Sequence, residues 1–170
     1  SFAGKTAVIT GGTGLIGRQV ATILCDAGAH VRVVSLDDIQ VHPAAEHVIG
    51  DLTDFAFCRE ITGGMDFVFH VAGIKGSIEV TKSKPASFLI PLLMMNTNVL
   101  EACRINNVEK VVFTSSIGAY AAAEVFNESL GRDGEPMDLF PGWAKRMGEM
   151  QIEAYRIEHG LENFAVVRPG

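Results

Sequence analysis

The run Thr10-Gly-Gly-Thr-Gly-Leu-Ile-Gly17 sits between a short apolar segment, Lys5 to Thr10, and a helix-patterned stretch. In that stretch Ile16, Val20, Ile23, Leu24 and Ala27 recur at three- and four-residue steps. The first segment reads as a buried parallel strand, the second as an amphipathic helix that Gly28 stops. Glycines at these positions between a strand and a helix have a mechanism. Gly11 permits a tight turn, Gly14 lets the backbone approach a pyrophosphate, and Gly17 lets the helix pack close to the strand. The free N–H groups of the helix's first turn, Leu15, Ile16 and Gly17, then meet phosphate at the positive end of the helix dipole. The run therefore points to a nicotinamide dinucleotide, NAD or NADP, on a doubly wound α/β domain.

The rest of the chain carries the same alternation. His30 to Leu36, His47 to Gly50, Asp66 to Val71, Lys110 to Thr114 and Phe164 to Val167 read as further strands. Helices are expected from about Thr53 to Ile61, Phe88 to Asn106 and Trp143 to His159. Such alternation implies a Rossmann-type parallel sheet with right-handed crossovers and helices on both faces. The stretch from Ala121 to Gly142 reads as a long irregular loop, with Gly131, Gly134, Pro136 and Pro141. Loops of that length are usually functional or mobile.

Composition narrows the function. At 170 residues with net charge −6, the chain is long enough for one domain and has no cluster of basic residues for a phosphate backbone. Nucleic acid is not an expected partner. The three cysteines, Cys25, Cys58 and Cys103, are few and widely spaced, as core thiols of a reducing compartment are. No histidine spacing suggests a metal site. The longest apolar stretch, Phe88 to Met95, is too short to span a membrane and contains Pro91. The opening residues do not read as a signal peptide, so the expected compartment is the cytoplasm, with no membrane partner.

The second strand should end in a group that grips the adenosine ribose. An acidic side chain there takes both hydroxyls of NAD and repels the extra phosphate of NADP. Ser35 stands at the usual position, with Asp37 two residues later. Asp37 reaches the ribose if the strand end bends, whereas Ser35 with Arg18 or Arg32 nearby tolerates a phosphate. NAD is slightly favoured and NADP stays open.

Further motifs follow in one order: Gly50-Asp51-Leu52, His70-Val-Ala-Gly-Ile-Lys75, Thr114-Ser-Ser116, Tyr120 and Gly142-Trp-Ala-Lys145. With the glycine turn, they make the chain resemble the extended short-chain dehydrogenase/reductase family, the NAD-dependent epimerases and dehydratases of nucleotide sugars. The resemblance covers essentially the whole chain. It implies that Asp51 and Leu52 hold the adenine edge and face. It also implies that Ala72 and Gly73 line the nicotinamide side and that Lys75 contacts the cofactor. Ser116 matches the family's catalytic serine or threonine, and Lys145 the lysine of its Tyr-x-x-x-Lys motif. Taken alone, Lys75 is also a plausible solvated loop lysine, and Ser116 a strand-end hydroxyl bonded to backbone. The resemblance further implies a homodimer through the helices near Phe88–Asn106 and Trp143–His159.

Two departures stand out. Four residues before Lys145 the family's tyrosine is replaced by Pro141, which has no proton to exchange. The chain also stops at Gly170, shortly after the sixth strand, where the family continues into a smaller substrate domain. Residues 1–170 are thus expected to be the NAD(P)-binding domain alone. Three functions remain open: an epimerase, dehydratase or reductase of a nucleotide-activated sugar; a catalytically silent dinucleotide-binding module; and a reductase of a small carbonyl compound.

Overall fold

The computed structural model describes residues 1–74 and 76–170. Its strands are β1 (Thr6–Thr10), β2 (His30–Ser35), β3 (Glu46–Ile49), β4 (Phe67–His70), β5 (Lys110–Thr114) and β6 (Phe164–Val167). The helices are α1 (Leu15–Asp26), α2 (Phe55–Thr62), α3 (Ile78–Ser83), α4 (Ala86–Ile105) and α5 (Leu139–His159). All strands run parallel in the order β3-β2-β1-β4-β5-β6. The order reverses direction between β1 and β4. Ligands of such sheets bind in the crevice beyond the carboxyl ends of the strands at that switch.

Both faces of β1 are covered, which is why its sequence is apolar at successive positions. Ala7 and Ile9 pack with Ala21 and Leu24 of α1 on one side. Val8 packs on the other with residues of α2, α4 and α5, among them Ile61, Leu92 and Ile152. The helices begin and end where local chemistry dictates. Asp54 caps α2, its carboxylate accepting from Ala56 and Phe57 N–H at 2.8 and 3.3 Å. Gly160 ends α5 in the left-handed region at φ 65°.

Three elements differ from the sequence-based expectation. Ser77 caps a short α3 that the apolar pattern does not reveal. The helix expected from Trp143 starts four residues earlier, at Leu139, so Pro141 lies in the first turn of α5. The first-turn N–H groups have no helical partner, so proline is tolerated there. The α4 helix is long and apolar enough to cross a membrane by length and composition. Here it is a core helix, burying Phe88, Leu92, Val99, Leu100, Ala102 and Cys103.

The long connection before α5 is pinned rather than loose. The buried Arg146 guanidinium donates to the carbonyls of Ala119, Asp133 and Gly134 at 2.5, 3.0 and 2.6 Å. Charge-assisted bonds from one planar fork fix that segment onto α5.

Candidate active site

Beyond the carboxyl ends of β1, β2 and β4 lies a cleft of about 520 Å³. Its walls include Gly11, Gly14, Leu15, Ile16, Gly17, Ser35, Asp37, Asp51, Leu52, Ala72 and Gly73, gathering most of the residues that the sequence singled out. Lys75 lies outside the described residues.

The glycine turn is built by close backbone approach. Gly11 has φ 66°, and a Cβ there would stand 2.7 Å from Ala72 Cα. A Cβ on Gly17 would meet the Gly11 carbonyl oxygen at 2.3 Å, so α1 can lie this close to its own turn only without a side chain. Gly14 differs. Its Cβ would touch only Gly11 O, at 3.3 Å, among protein atoms. Gly14 is also the N-cap of α1, with no side-chain cap, and no acidic residue occupies the first turn. Bare N–H groups at a helix start, beside a cleft and with no acidic residue in the helix's first turn, suit a diphosphate. The residues present therefore fit the dinucleotide.

At the far end of the cleft the Ser35 hydroxyl donates to the Asp37 carbonyl at 2.7 Å. Thr13 Oγ1 donates to Asp37 Oδ2 at 3.2 Å. The bent strand end thus carries the Asp37 carboxylate back over the glycine turn. Arg32 is committed elsewhere, to Glu46 at 2.8 Å and the Ile61 carbonyl at 3.1 Å. Arg18 is held on the Thr13 carbonyl by Nη2 at 2.8 Å. In the loop after β3, Asp51 Oδ1 accepts from Thr53 N–H at 2.9 Å. Asn98 of α4 donates to the carbonyls of Leu52 and Thr53 at 3.1 and 3.0 Å, which fixes this loop to the core.

Ser116 and Lys145 are not in the wall of that cleft. They stand at the end of β5, the strand beside β4. Ser116 N-caps a 3-10 turn over Ile117–Ala119, its Oγ accepting from Gly118 N–H at 3.0 Å. That structural role leaves the hydroxyl hydrogen free to donate. Lys145 Nζ donates to the Thr114 carbonyl at 2.7 Å and lies 5.0 Å from the centre of the Phe113 ring. Burial pushes its pKa down to about 8, against the pull of the Glu149 carboxylate.

Sequence reasoning missed several contributors. Thr13, Ile74 and Met95 also line the cleft. Buried His70 and Asn96 connect its floor to α5, and their signal was a polar residue inside an apolar strand and an apolar helix. Tyr120 is buried, its hydroxyl accepting from Arg168 at 2.7 Å. This bond ties it to the structural pair of Arg168 and Glu149.

The chain matches the NAD-dependent epimerase/dehydratase family over residues 7–170. It belongs to that family. Relatives include a UDP-glucose 4-epimerase of Azospirillum brasilense, 30% identical over 92% of this chain and 46% of that protein. A cinnamoyl-CoA reductase of Petunia hybrida is 35% identical over 70% of this chain and 37% of that protein. A 3β-hydroxysteroid dehydrogenase/isomerase of Mycobacterium tuberculosis is 34% identical over 64% of this chain and 31% of that protein. Among solved structures, an epimerase from Methanothermobacter thermautotrophicus superposes with TM-score 0.85 at 22% identity, covering 98% of this chain and 52% of its own. The UDP-glucose 4-epimerase of Brucella ovis, in complex with NAD, gives TM-score 0.82 at 22% identity, covering 96% of this chain and 51% of its own. These two likenesses carry the fold. The chain spans about half the length of those structures, and less than half of the three relatives.

Proposed function

We propose that residues 1–170 form the NAD-binding domain of an enzyme acting on a nucleotide-activated sugar as an epimerase, dehydratase or reductase. The observation that carries this reading is the Gly11–Gly17 contact, which leaves the uncapped start of α1 facing a cleft whose far end holds Asp37. Similarity to UDP-glucose 4-epimerases supports the substrate class. In this reading the nucleotide-sugar is held largely by residues outside 1–170, and the two solved structures are about twice as long.

A dinucleotide held over the glycine turn by Gly11, Gly14 and Gly17 would supply a reversible hydride acceptor for a sugar carbon. Asp37 accepts hydrogen bonds from the adenosine ribose hydroxyls and repels a 2′-phosphate, which favours NAD over NADP. Asp51 and Leu52 hold the adenine, Ala72 and Gly73 line the nicotinamide side, and Lys75 contacts the cofactor. The Ser116 hydroxyl donates to the reacting oxygen. The Lys145 ammonium keeps one N–H on Thr114 and offers the others to the cofactor ribose. Exposed Ile90, Met94, Met147 and Met150 on α4 and α5 support a homodimer that buries them.

A second reading, a silent binding module, is favoured by Pro141, because no side chain at that place can carry a proton. A third, reduction of a small carbonyl compound, draws on the steroid dehydrogenase and cinnamoyl-CoA reductase relatives. Turnover assays on the full-length protein with UDP-sugars, followed by cofactor absorbance, test the first reading. No turnover of any nucleotide-sugar, with NAD still bound, favours the second.

A further inference from the structure

Five groups form a buried hydrogen-bonded chain across the centre of the fold. Ala72 N–H donates to Thr10 Oγ1 at 3.3 Å, and Thr10 Oγ1 lies 2.7 Å from His70 Nδ1. His70 Nε2 lies 2.9 Å from Asn96 Oδ1, and Asn96 Nδ2 donates to the Ala144 carbonyl at 3.2 Å. Thr10, His70 and Ala144 are fully buried, and Asn96 is 1% exposed.

The two ends fix every proton between them. A backbone N–H can only donate and a carbonyl only accept. The amide of Asn96 must therefore turn its nitrogen to Ala144, and its oxygen then needs a donor from His70 Nε2. The neutral imidazole accepts at Nδ1 from the Thr10 hydroxyl, which is free to donate because its oxygen receives Ala72 N–H. All donors point one way, from the cofactor cleft to α5. A second proton on His70 would take from the Thr10 hydroxyl hydrogen its acceptor, in accord with burial and the Lys145 charge depressing the His70 pKa.

We propose that Asn96 is a positioning residue for Lys145. By gripping the carbonyl of the preceding residue, it holds the turn of α5 from which the ammonium reaches Thr114. Its importance for cofactor binding rests on the reading of Lys145 given above; its effect on the lysine does not.

The test follows the ε-carbon of Lys145 by NMR titration in the parent and in Asn96→Ala. Release of the lysine into water is expected to raise its midpoint by about one pH unit or more, tenfold in the ionisation equilibrium. Asn96→Thr, whose hydroxyl ends one atom short of both His70 and Ala144, removes the grip on Ala144 with less loss of volume and serves if the alanine variant does not fold. An unchanged Lys145 midpoint in a folded variant overturns the proposal, even if thermal stability falls. NAD and ADP affinities provide the second readout. Asn96→Ala is expected to weaken NAD about tenfold and leave ADP, which lacks the nicotinamide ribose, unchanged. If Lys145→Met leaves NAD affinity intact while the titration still shifts, the cofactor reading fails and the positioning stands.

Discussion

Thr13 and Asp37, twenty-four positions apart, are joined by a hydrogen bond of 3.2 Å from Thr13 Oγ1 to Asp37 Oδ2. The contact ties the Asp37 end of the cleft to the glycine turn, the two places that the proposed function gives to the ribose and the phosphates. Replacing Asp37 by Ala is expected to weaken NAD binding about tenfold, ~1.4 kcal/mol, and to leave NADP binding unchanged or improved. Calorimetric titration with both cofactors checks this. Equal losses for the two would remove Asp37 from the 2′ position and leave Ser35 there.

Gly14 and Gly17 should fail in different ways. Gly14→Ala meets protein only at the Gly11 carbonyl, so the fold should survive, while a methyl group over the phosphates weakens NAD about tenfold. Gly17→Ala drives a methyl into backbone and should cost about 1–3 kcal/mol of stability, as overpacking does. Urea unfolding beside NAD titration separates the two. A destabilised Gly14→Ala with unaltered affinity would contradict the assignment.

The Glu149 carboxylate is 7% exposed and takes Arg168 through two bonds of 2.9 and 2.6 Å, plus the Ser115 hydroxyl at 2.5 Å. Removing one partner of such a pair strands the other charge. Glu149→Ala is therefore expected to cost about 3–5 kcal/mol in chemical denaturation. A loss below 1 kcal/mol would mean that water reaches Arg168 in the folded state.

Acid should act through His70. Its pKa falls from 6.5 unfolded to about 3 folded, chiefly by burial. Between these values the unfolded state holds the extra proton, so stability rises with pH across the window and falls as pH drops from 6.5. The slope from this one group approaches 1.4 kcal/mol per pH unit. Urea midpoints of parent and His70→Gln at pH 7, 5.5 and 4.5 isolate it from the carboxylates that titrate alongside. Parallel pH profiles would show that His70 takes up a proton in place.

Pro141→Tyr in full-length protein tests the missing proton carrier. In a protein with the family's chemistry, a phenol four residues before Lys145 should raise turnover by about 10²–10⁴-fold, the usual worth of general acid–base help. Unchanged turnover, with NAD still bound, would assign the proton to another group or to water.

Periodicity and glycine placement in the sequence determined the sheet, its parallel sense and the cofactor cleft. Ala7–Ile9 is apolar at successive positions because both faces of β1 are covered, and the glycines are local requirements of a turn. Such signals depend on neighbours a few residues away, which a sequence displays. The start of α5 lies four residues before Trp143, because a proline is harmless in a first turn where no N–H has a helical partner. What only the tertiary structure decided involves residues far apart along the chain. Arg32 is claimed by Glu46, Asp37 is turned back by Thr13, and His70 meets Thr10 and Asn96 across three elements. A buried polar side chain must be satisfied by whichever partner the fold brings near, and nothing local in the sequence names that partner.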